Sequence, residues 1–111
     1  MAAENFDLPI TFVDTPESLA QAIPEWFGAH LLAIDIECSL TGVHHCVMAL
    51  LQIATHDKAW LVDPITLDAL MKPTMRALAE IPWIVHDFSG DGVVFKRLYD
   101  VVPVSVMDTM M

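Results

Sequence analysis

Residues 31–37 read Leu-Leu-Ala-Ile-Asp-Ile-Glu, an apolar run that ends in two carboxylates separated by one residue. The run predicts a central strand over residues 30–37 that is buried on both faces. Asp35 and Glu37 then project from the same face, because side chains alternate along an extended segment. Two like charges this close repel each other unless a cation keeps both ionised, and such oxygen ligands suit Mg²⁺ or Mn²⁺. The alternative is that both carboxylates are simply hydrated where the strand enters solvent.

The composition predicts one packed domain, or part of one. The chain has 111 residues, of which 55% are hydrophobic, enough to bury a single core. Its formal net charge of -10, with only five Lys and Arg residues, argues against a broad nucleic-acid surface, because proteins that follow phosphates need basic patches. A nucleic-acid function would therefore depend on metal ions or on basic surface supplied elsewhere.

The compartment can be predicted from what the sequence lacks. Its apolar stretches are strand-sized, shorter than the roughly 20 residues that span a bilayer, and its first residues do not form a secretory signal. Two cysteines, Cys38 and Cys46, provide no disulfide framework. We expect a soluble protein of the cytoplasm or nucleus with no membrane partner.

Short apolar runs alternate with amphipathic segments along the chain, which is typical of an α/β layered domain. An antiparallel hairpin is predicted from two of these runs, and a loop over residues 38–46 precedes it. The predicted strands cover residues 10–13, 30–37, 47–55, 58–62, 82–86 and 101–107, and the predicted helices begin at Pro16, follow Asp63-Pro64, and cover residues 90–99.

A second acidic element follows the strand predicted at residues 82–86. Asp91 lies where a helix opens, near an N-terminus that favours negative charge. Asp91 or Ser89 could be only an N-cap. In the functional interpretation, Asp91 points to the end of the central strand and joins Asp35 and Glu37. His86 is either a structural strand-end histidine or a group that positions substrate.

Taken in order, these elements resemble the DEDD superfamily of 3′–5′ exonucleases, most closely its RNase D-like branch. The similarity extends from about Ile10 onward, and the ordered set of motifs is more specific than any one of them. The matching segments are Asp35-Ile36-Glu37 for the first motif, Leu50-Leu51-Gln52-Ile53 for the next strand, Asp63-Pro64 for the pair that ends the third strand, His86 with Asp91 for the second motif, and Val106-Met107-Asp108-Thr109 for the strand that leads into Asp-Thr.

The resemblance implies an RNase H-like, three-layer α/β domain with a mixed sheet, in which the first three core strands are antiparallel and the later ones parallel. It also implies a metal-dependent exonuclease that acts on the 3′ end of single-stranded RNA or DNA with two Mg²⁺ or Mn²⁺ ions. Asp35, Glu37 and Asp91 would be its catalytic and metal-binding residues. His86 and His45 would contact substrate.

The family's third motif, a Tyr or His followed by a fourth Asp, has no counterpart in this sequence. Asp108 is predicted to be a structural strand-end residue and not a substitute for that Asp. We therefore expect residues 1–111 to form the N-terminal portion of a single exonuclease domain. We also expect this portion to be inactive alone and to expose an apolar patch that includes residues 101–107.

Two alternatives remain open from the sequence. An inactive exonuclease-like domain that binds nucleic acid or a protein partner would explain the acidity and the missing motif, whereas the three carboxylates favour the enzyme. A zinc site formed by Cys38, His44, His45 and Cys46 is disfavoured, because their spacing matches no common zinc pattern.

Overall fold

A computed structural model describes residues 8–41 and 45–110, with side chains described outside residues 40–46. No helix in these ranges has the length and apolarity that crossing a membrane requires. The strands are β1 (Ile10–Val13), β2 (Leu32–Thr41), β3 (His45–Ala54), β4 (Ala59–Val62), β5 (Trp83–Val85) and β6 (Val106–Asp108); the helices are α1 (Pro16–Phe27), α2 (Pro64–Leu67), α3 (Met71–Leu78) and α4 (Phe88–Tyr99), with a 3₁₀ turn, Asp68–Leu70, between α2 and α3.

The six strands form one mixed sheet in the order β1-β4-β3-β2-β5-β6. Antiparallel pairing joins β2 to β3 and β3 to β4, while β5 and β6 are added in parallel beside β2. This confirms the predicted α/β class and mixed sheet. The first strand, β1, pairs in parallel with the distant β4, a partner that the sequence pattern did not identify.

Strand β2 is buried on one face only, so the prediction of two buried faces is wrong for the described residues. Leu32, Ile34 and Ile36 are at most 7% exposed and join the core, whereas Asp35 and Glu37 are exposed. The apolar residues of the helices belong to that same core cluster. The described residues therefore provide the sheet and one helical layer, two of the three predicted layers.

The segment predicted as a loop, residues 38–46, instead contains strand at both ends. Strand β2 continues to Thr41 and β3 starts at His45, with a shift of register between Glu37 and Cys38. Cys38 is disulfide-bonded, which corrects the expectation that the cysteines form no disulfide. The cysteine count therefore does not indicate a reducing compartment.

The last predicted strand is also shorter than expected. Only Val106–Asp108 pairs with β5. The preceding residues are used differently: Val101 is 2% exposed in the core, and the Val104 N–H donates to the Ala79 carbonyl at the end of α3. Pro103 has no N–H to give to a strand partner.

Helix α1 begins as the sequence predicts. Thr15 is the N-cap, Pro16 occupies the first turn, and Ser18 completes a reciprocal capping box. The Ser18 N–H donates to Thr15 Oγ1 and the Thr15 N–H donates to Ser18 Oγ, both at 3.0 Å. These bonds satisfy N–H groups that the first turn leaves without intrahelical partners.

The three tryptophans are core residues. Trp26 and Trp60 meet edge to face with ring centroids 5.9 Å apart, and Trp83 contacts Phe95 at 5.0 Å. Trp83 Nε1–H donates to the Leu78 carbonyl at 3.0 Å. In contrast, the indole N–H of Trp26 is buried without a hydrogen-bond partner among the described residues.

This difference between two buried indoles predicts that replacement of Trp by Phe destabilises the fold unequally at the two positions. Trp83→Phe removes one of the two hydrogen bonds that the Leu78 carbonyl accepts, the other coming from the Ile81 N–H, whereas Trp26→Phe removes an N–H that has no partner among the described residues. Both lose similar volume, so we expect Trp83→Phe to destabilise the fold more, by about 0.5–1.5 kcal/mol. Urea unfolding of both variants measures the difference. Equal or reversed costs would show that the Trp83 hydrogen bond contributes nothing.

Candidate active site

The carboxylates of Asp35 and Glu37 lie on the exposed face of β2. Asp35 pairs with Gln52 and Glu37 with Leu50 on β3, and the register shifts directly after Glu37. Such bulges bend a strand and change the direction of its side chains, and they are common beside active sites. The geometry therefore agrees with the predicted orientation of both carboxylates.

Asp91 reaches the open edge of β2 because β5 is short. β5 pairs with β2 only through Leu32 and Ala33, so the edge of β2 is uncovered farther along. Helix α4 begins at this point and places Asp91 in its first turn, where the carboxylate accepts a hydrogen bond from the Ile36 N–H. The donor lies between Asp35 and Glu37 in the sequence, so the Asp91 carboxylate lies beside this end of β2, within electrostatic reach of Asp35.

Burial and like charge act together on Asp91. Desolvation raises the pKa of Asp91, repulsion by Asp35 and then by Asp87 raises it further, and the Ile36 N–H partly opposes them. Asp35 is therefore close enough to Asp91 to disfavour the ionised form of the Asp91 carboxyl. This repulsion acts between β2 and α4, whereas the sequence predicted repulsion between Asp35 and Glu37 within β2.

Asp108 fixes the start of α4 and has the structural role predicted for it. Its carboxylate accepts from the N–H groups of Asp87 and Phe88, each at 2.8 Å, and from that of Met110 at 2.9 Å. These bonds, led by the one from Phe88, lower the pKa of Asp108. Asp87 adopts a left-handed conformation at φ 57°, which turns the chain from β5 into α4. Asp108, not Asp91, therefore caps the helix.

His86 is exposed and is oriented by Thr109. Its Nδ1 lies 2.8 Å from Thr109 Oγ1, and that hydroxyl donates to the Val85 carbonyl at 3.2 Å. A hydroxyl that donates its only hydrogen must accept from the ring, so we assign the proton to Nδ1. Nε2 is then the acceptor of the neutral ring.

A cavity of about 430 Å³ on the uncovered face of the sheet includes Asp35, Gln52, His86 and Thr109 in its lining. His86 and Asp35 therefore border the same space. His45, the other predicted contact, is the first residue of β3, and its side chain lies outside the described part of the chain. His44 also lies outside the described residues.

The three carboxylates fit a divalent cation chemically but are not closed around one. Within residues 8–41 and 45–110, no group of three His, Cys, Asp or Glu residues is arranged to hold a metal ion. The donors are nevertheless hard oxygens of the type that Mg²⁺ selects. The raised pKa of Asp91 beside Asp35 shows an unfavourable repulsion that a bound cation would relieve.

Comparison with known proteins identifies the family. A sequence profile described as 3′–5′ exonuclease matches residues 10–111. The chain belongs to the 3′–5′ exonuclease family. It is 32% identical over 113 aligned positions to ribonuclease D of Pseudomonas paraeruginosa, which supports the predicted RNase D-like branch of the DEDD exonucleases. Exonucleases of this family generally depend on divalent metal ions.

Solved structures confirm the fold of this exonuclease domain. RNase D of Trypanosoma brucei, in complex with RNA U12, superposes with a TM-score of 0.85 at 25% identity over 96% of this chain. RNase D of Escherichia coli superposes with a TM-score of 0.72 at 22% identity over 92% of this chain. The chain spans only 29% of the Pseudomonas enzyme, and 39% and 28% of the two structures.

The position of Asp91 predicts that a neutral residue there stabilises the metal-free fold. Folding raises the pKa of Asp91 above its ordinary value of 3.8. The carboxyl therefore adds stability when the pH is below 3.8, and this stability is lost as the pH rises through the raised pKa. Asp91→Asn should therefore be more stable than wild type at pH 7 and equal to it below about pH 4. Urea unfolding in EDTA at both pH values measures this. Glu17→Gln, the same change in the first turn of α1, is the control, and no gain at pH 7 for Asp91→Asn would contradict the repulsion.

The hydrogen bonds of Asp108 predict the opposite pH dependence. Folding lowers the pKa of Asp108 below its ordinary value of 3.8. The contribution of this carboxylate to the free energy of unfolding is therefore present when the pH is above 3.8, and it is lost as the pH falls through the lowered pKa. We expect Asp108→Ala to unfold at lower urea concentration than wild type at pH 7, with the difference shrinking in acid. Glu80→Ala, which removes an equal charge from an exposed position, should cause less loss. Equal losses would show that Asp108 does not hold α4.

Proposed function

We propose that this chain forms part of the active site of an exonuclease that shortens single-stranded RNA from its 3′ end by a two-metal-ion mechanism. The observation that carries the proposal is the meeting of Asp91 with Asp35 at the end of β2. RNA is preferred to DNA as substrate because of the similarity to ribonuclease D. Residues that would act as the third motif and fourth Asp are not found in residues 1–111, so we propose that this chain alone is inactive.

The carboxylates of Asp35, Glu37 and Asp91 would hold the two ions, Mg²⁺ or Mn²⁺. When bound, these ions would neutralise phosphate charge and supply a nucleophile at neutral pH. Phosphoryl transfer requires positioning and charge stabilisation more than it requires a protein nucleophile. A cluster of carboxylates without a reactive Ser or Cys is therefore suited to the reaction.

The chain's own residues would position the site and the substrate. The Ile36 N–H holds the Asp91 carboxylate against β2, and the capping of α4 by Asp108 holds the backbone that precedes it. His86, oriented by Thr109, borders the cavity that Asp35 also lines. Its Nε2 would accept a hydrogen bond from a ribose hydroxyl, which would favour RNA over DNA.

The second candidate is an inactive exonuclease-like domain that binds RNA or a protein partner. The observations that favour it are the net charge of -10 and the absence of a three-ligand metal group among the described residues. It differs from the enzyme in one measurable respect: RNA would be bound but not shortened in the presence of Mg²⁺ or Mn²⁺.

Substitution of Asp35 tests the enzyme directly. In the full-length protein we expect Asp35→Asn to reduce hydrolysis of a 5′-labelled single-stranded RNA by at least about 100-fold, because charge stabilisation at the phosphate is lost. The circular dichroism spectrum should not change. Asp57→Asn, at an exposed turn, is the matched control and should retain activity.

The same assay distinguishes the alternatives. A 5′ label reports shortening from the 3′ end as a ladder, and a DNA strand of equal sequence measures the preference for RNA. Activity that persists in EDTA would overturn the metal mechanism. RNA binding without shortening by the wild-type protein would replace the enzyme with the inactive domain, and loss of structure in Asp35→Asn would make Asp35 a structural residue.

A further inference from the structure

Gln52 is the direct cross-strand neighbour of the candidate catalytic Asp35. The two residues are paired in register on β3 and β2, and side chains that lie directly opposite each other have Cβ atoms about 4.5–5.5 Å apart. Both line the cavity of about 430 Å³ on the uncovered face of the sheet. Gln52 therefore places a neutral amide group beside the carboxylate that would hold the metal ions.

The core fixes the position of Gln52, but its amide group has no partner within the described fold. The flanking side chains of Leu51 and Ile53 are 0% exposed, so the alternation of the strand directs Gln52 to the opposite face. Its half-buried amide forms no hydrogen bond with any other described residue, Asp35 included. The amide therefore does not orient Asp35 in this structure, and it is available to a molecule that enters the cavity.

The floor of the cavity beside Gln52 is apolar and is made mostly of small side chains. Strand pairing places Ala33, Ala54 and Ala59 side by side across β2, β3 and β4, and Ile84 of β5 continues the row. All four residues line the cavity. Its volume lies within the range of roughly 300–1,000 Å³ that small-molecule sites have, so a nucleotide fits beside Asp35.

The chemistry of the amide decides which part of a nucleotide it suits. A carboxamide carries two N–H donors and one carbonyl acceptor, so its complement is a group that presents a donor and an acceptor side by side. Nucleobases present such pairs on their hydrogen-bonding edges, and their flat rings suit an apolar floor. A phosphate offers acceptors only, and metal ions would be held by the charged carboxylates.

We propose that Gln52 is a further substrate-binding residue, whose side-chain amide binds the base of the 3′-terminal nucleotide. The inference rests on the proposed function, because the phosphate of that nucleotide would lie at the carboxylates and its base on the neighbouring apolar floor. Half a turn of the amide exchanges its donor and its acceptor, so the same side chain pairs with any base. Such a contact suits an enzyme that removes successive nucleotides whatever their sequence.

Two ligands that differ only in the base test this contact without hydrolysis. Isothermal titration calorimetry of the full-length protein with Mg²⁺ compares adenosine 5′-monophosphate with ribose 5-phosphate, and we expect wild type to bind the nucleotide more tightly. Gln52→Met keeps the length of the side chain but removes its hydrogen bonds. It should weaken binding of the nucleotide about 3–10-fold, the range for one neutral hydrogen bond, and leave binding of ribose 5-phosphate unchanged.

Gln21→Met is the matched control and should change neither affinity, because Gln21 is the other glutamine of the chain and is exposed on α1. An unchanged affinity of Gln52→Met for the nucleotide would overturn the proposal. Equal losses for both ligands would also overturn it, by assigning Gln52 to the sugar, the phosphate or the positioning of Asp35. A wild-type protein that binds the nucleotide no better than ribose 5-phosphate would overturn it even if the variant failed to fold.

Hydrolysis of single-stranded RNA by the full-length protein separates this proposal from the proposed function. Gln52→Met should raise KM several-fold and leave kcat unchanged, because the contact is made equally before and during the reaction. RNA shortening with an unchanged KM would overturn the assignment of Gln52 alone. A base-dependent affinity that Gln52→Met loses, in a protein that never shortens RNA, would contradict the exonuclease and leave the contact in place.

Discussion

The hydrogen bonds that the Asp108 carboxylate accepts determine where α4 begins, and much else in the structure depends on that helix. The N–H groups of Asp87 and Phe88 both donate to this carboxylate, which compensates for the left-handed conformation of Asp87. The interaction joins β6 to the end of β5 and the start of α4. As a result, the first turn of α4 meets the edge of β2, and its last turn packs beside α3. One structural carboxylate therefore positions both the candidate catalytic Asp91 and the helix that packs beside α3.

The charges at the candidate site lower the stability of the metal-free fold. Asp91 is partly buried next to Asp35, and desolvation and repulsion both raise its pKa. A sequence selected only for stability would place a neutral acceptor opposite the Ile36 N–H. The retention of a carboxylate is understandable if the repulsion is relieved when a divalent cation binds, because the cation then gains ligands that the fold has already positioned.

The sequence predicted the local features well and the non-local ones poorly. The start of α1 at Pro16 and the shared orientation of Asp35 and Glu37 follow from side-chain chemistry within a few residues. The pairing of β1 with β4 joins segments about fifty residues apart, and no pattern in either strand specifies that partner. The loop predicted at residues 38–46 was wrong because Gly42 and the polar residues around it suggested a turn, while the register shift after Glu37 allows the strands to continue.

The basic residues of α3 and α4 illustrate what composition cannot show. Five basic residues against fifteen acidic ones suggested that no useful cationic surface could form. The inference assumed that charges are spread evenly, whereas folding brings Lys72 and Arg76 of α3 and Lys96 of α4 within electrostatic reach of one carboxylate, that of Asp100. The local potential depends on this clustering more than on the total charge, because exposed charges more than about 8 Å apart are largely screened from each other at physiological salt. Composition therefore excludes an evenly basic surface but does not determine where the few cations of an acidic protein collect.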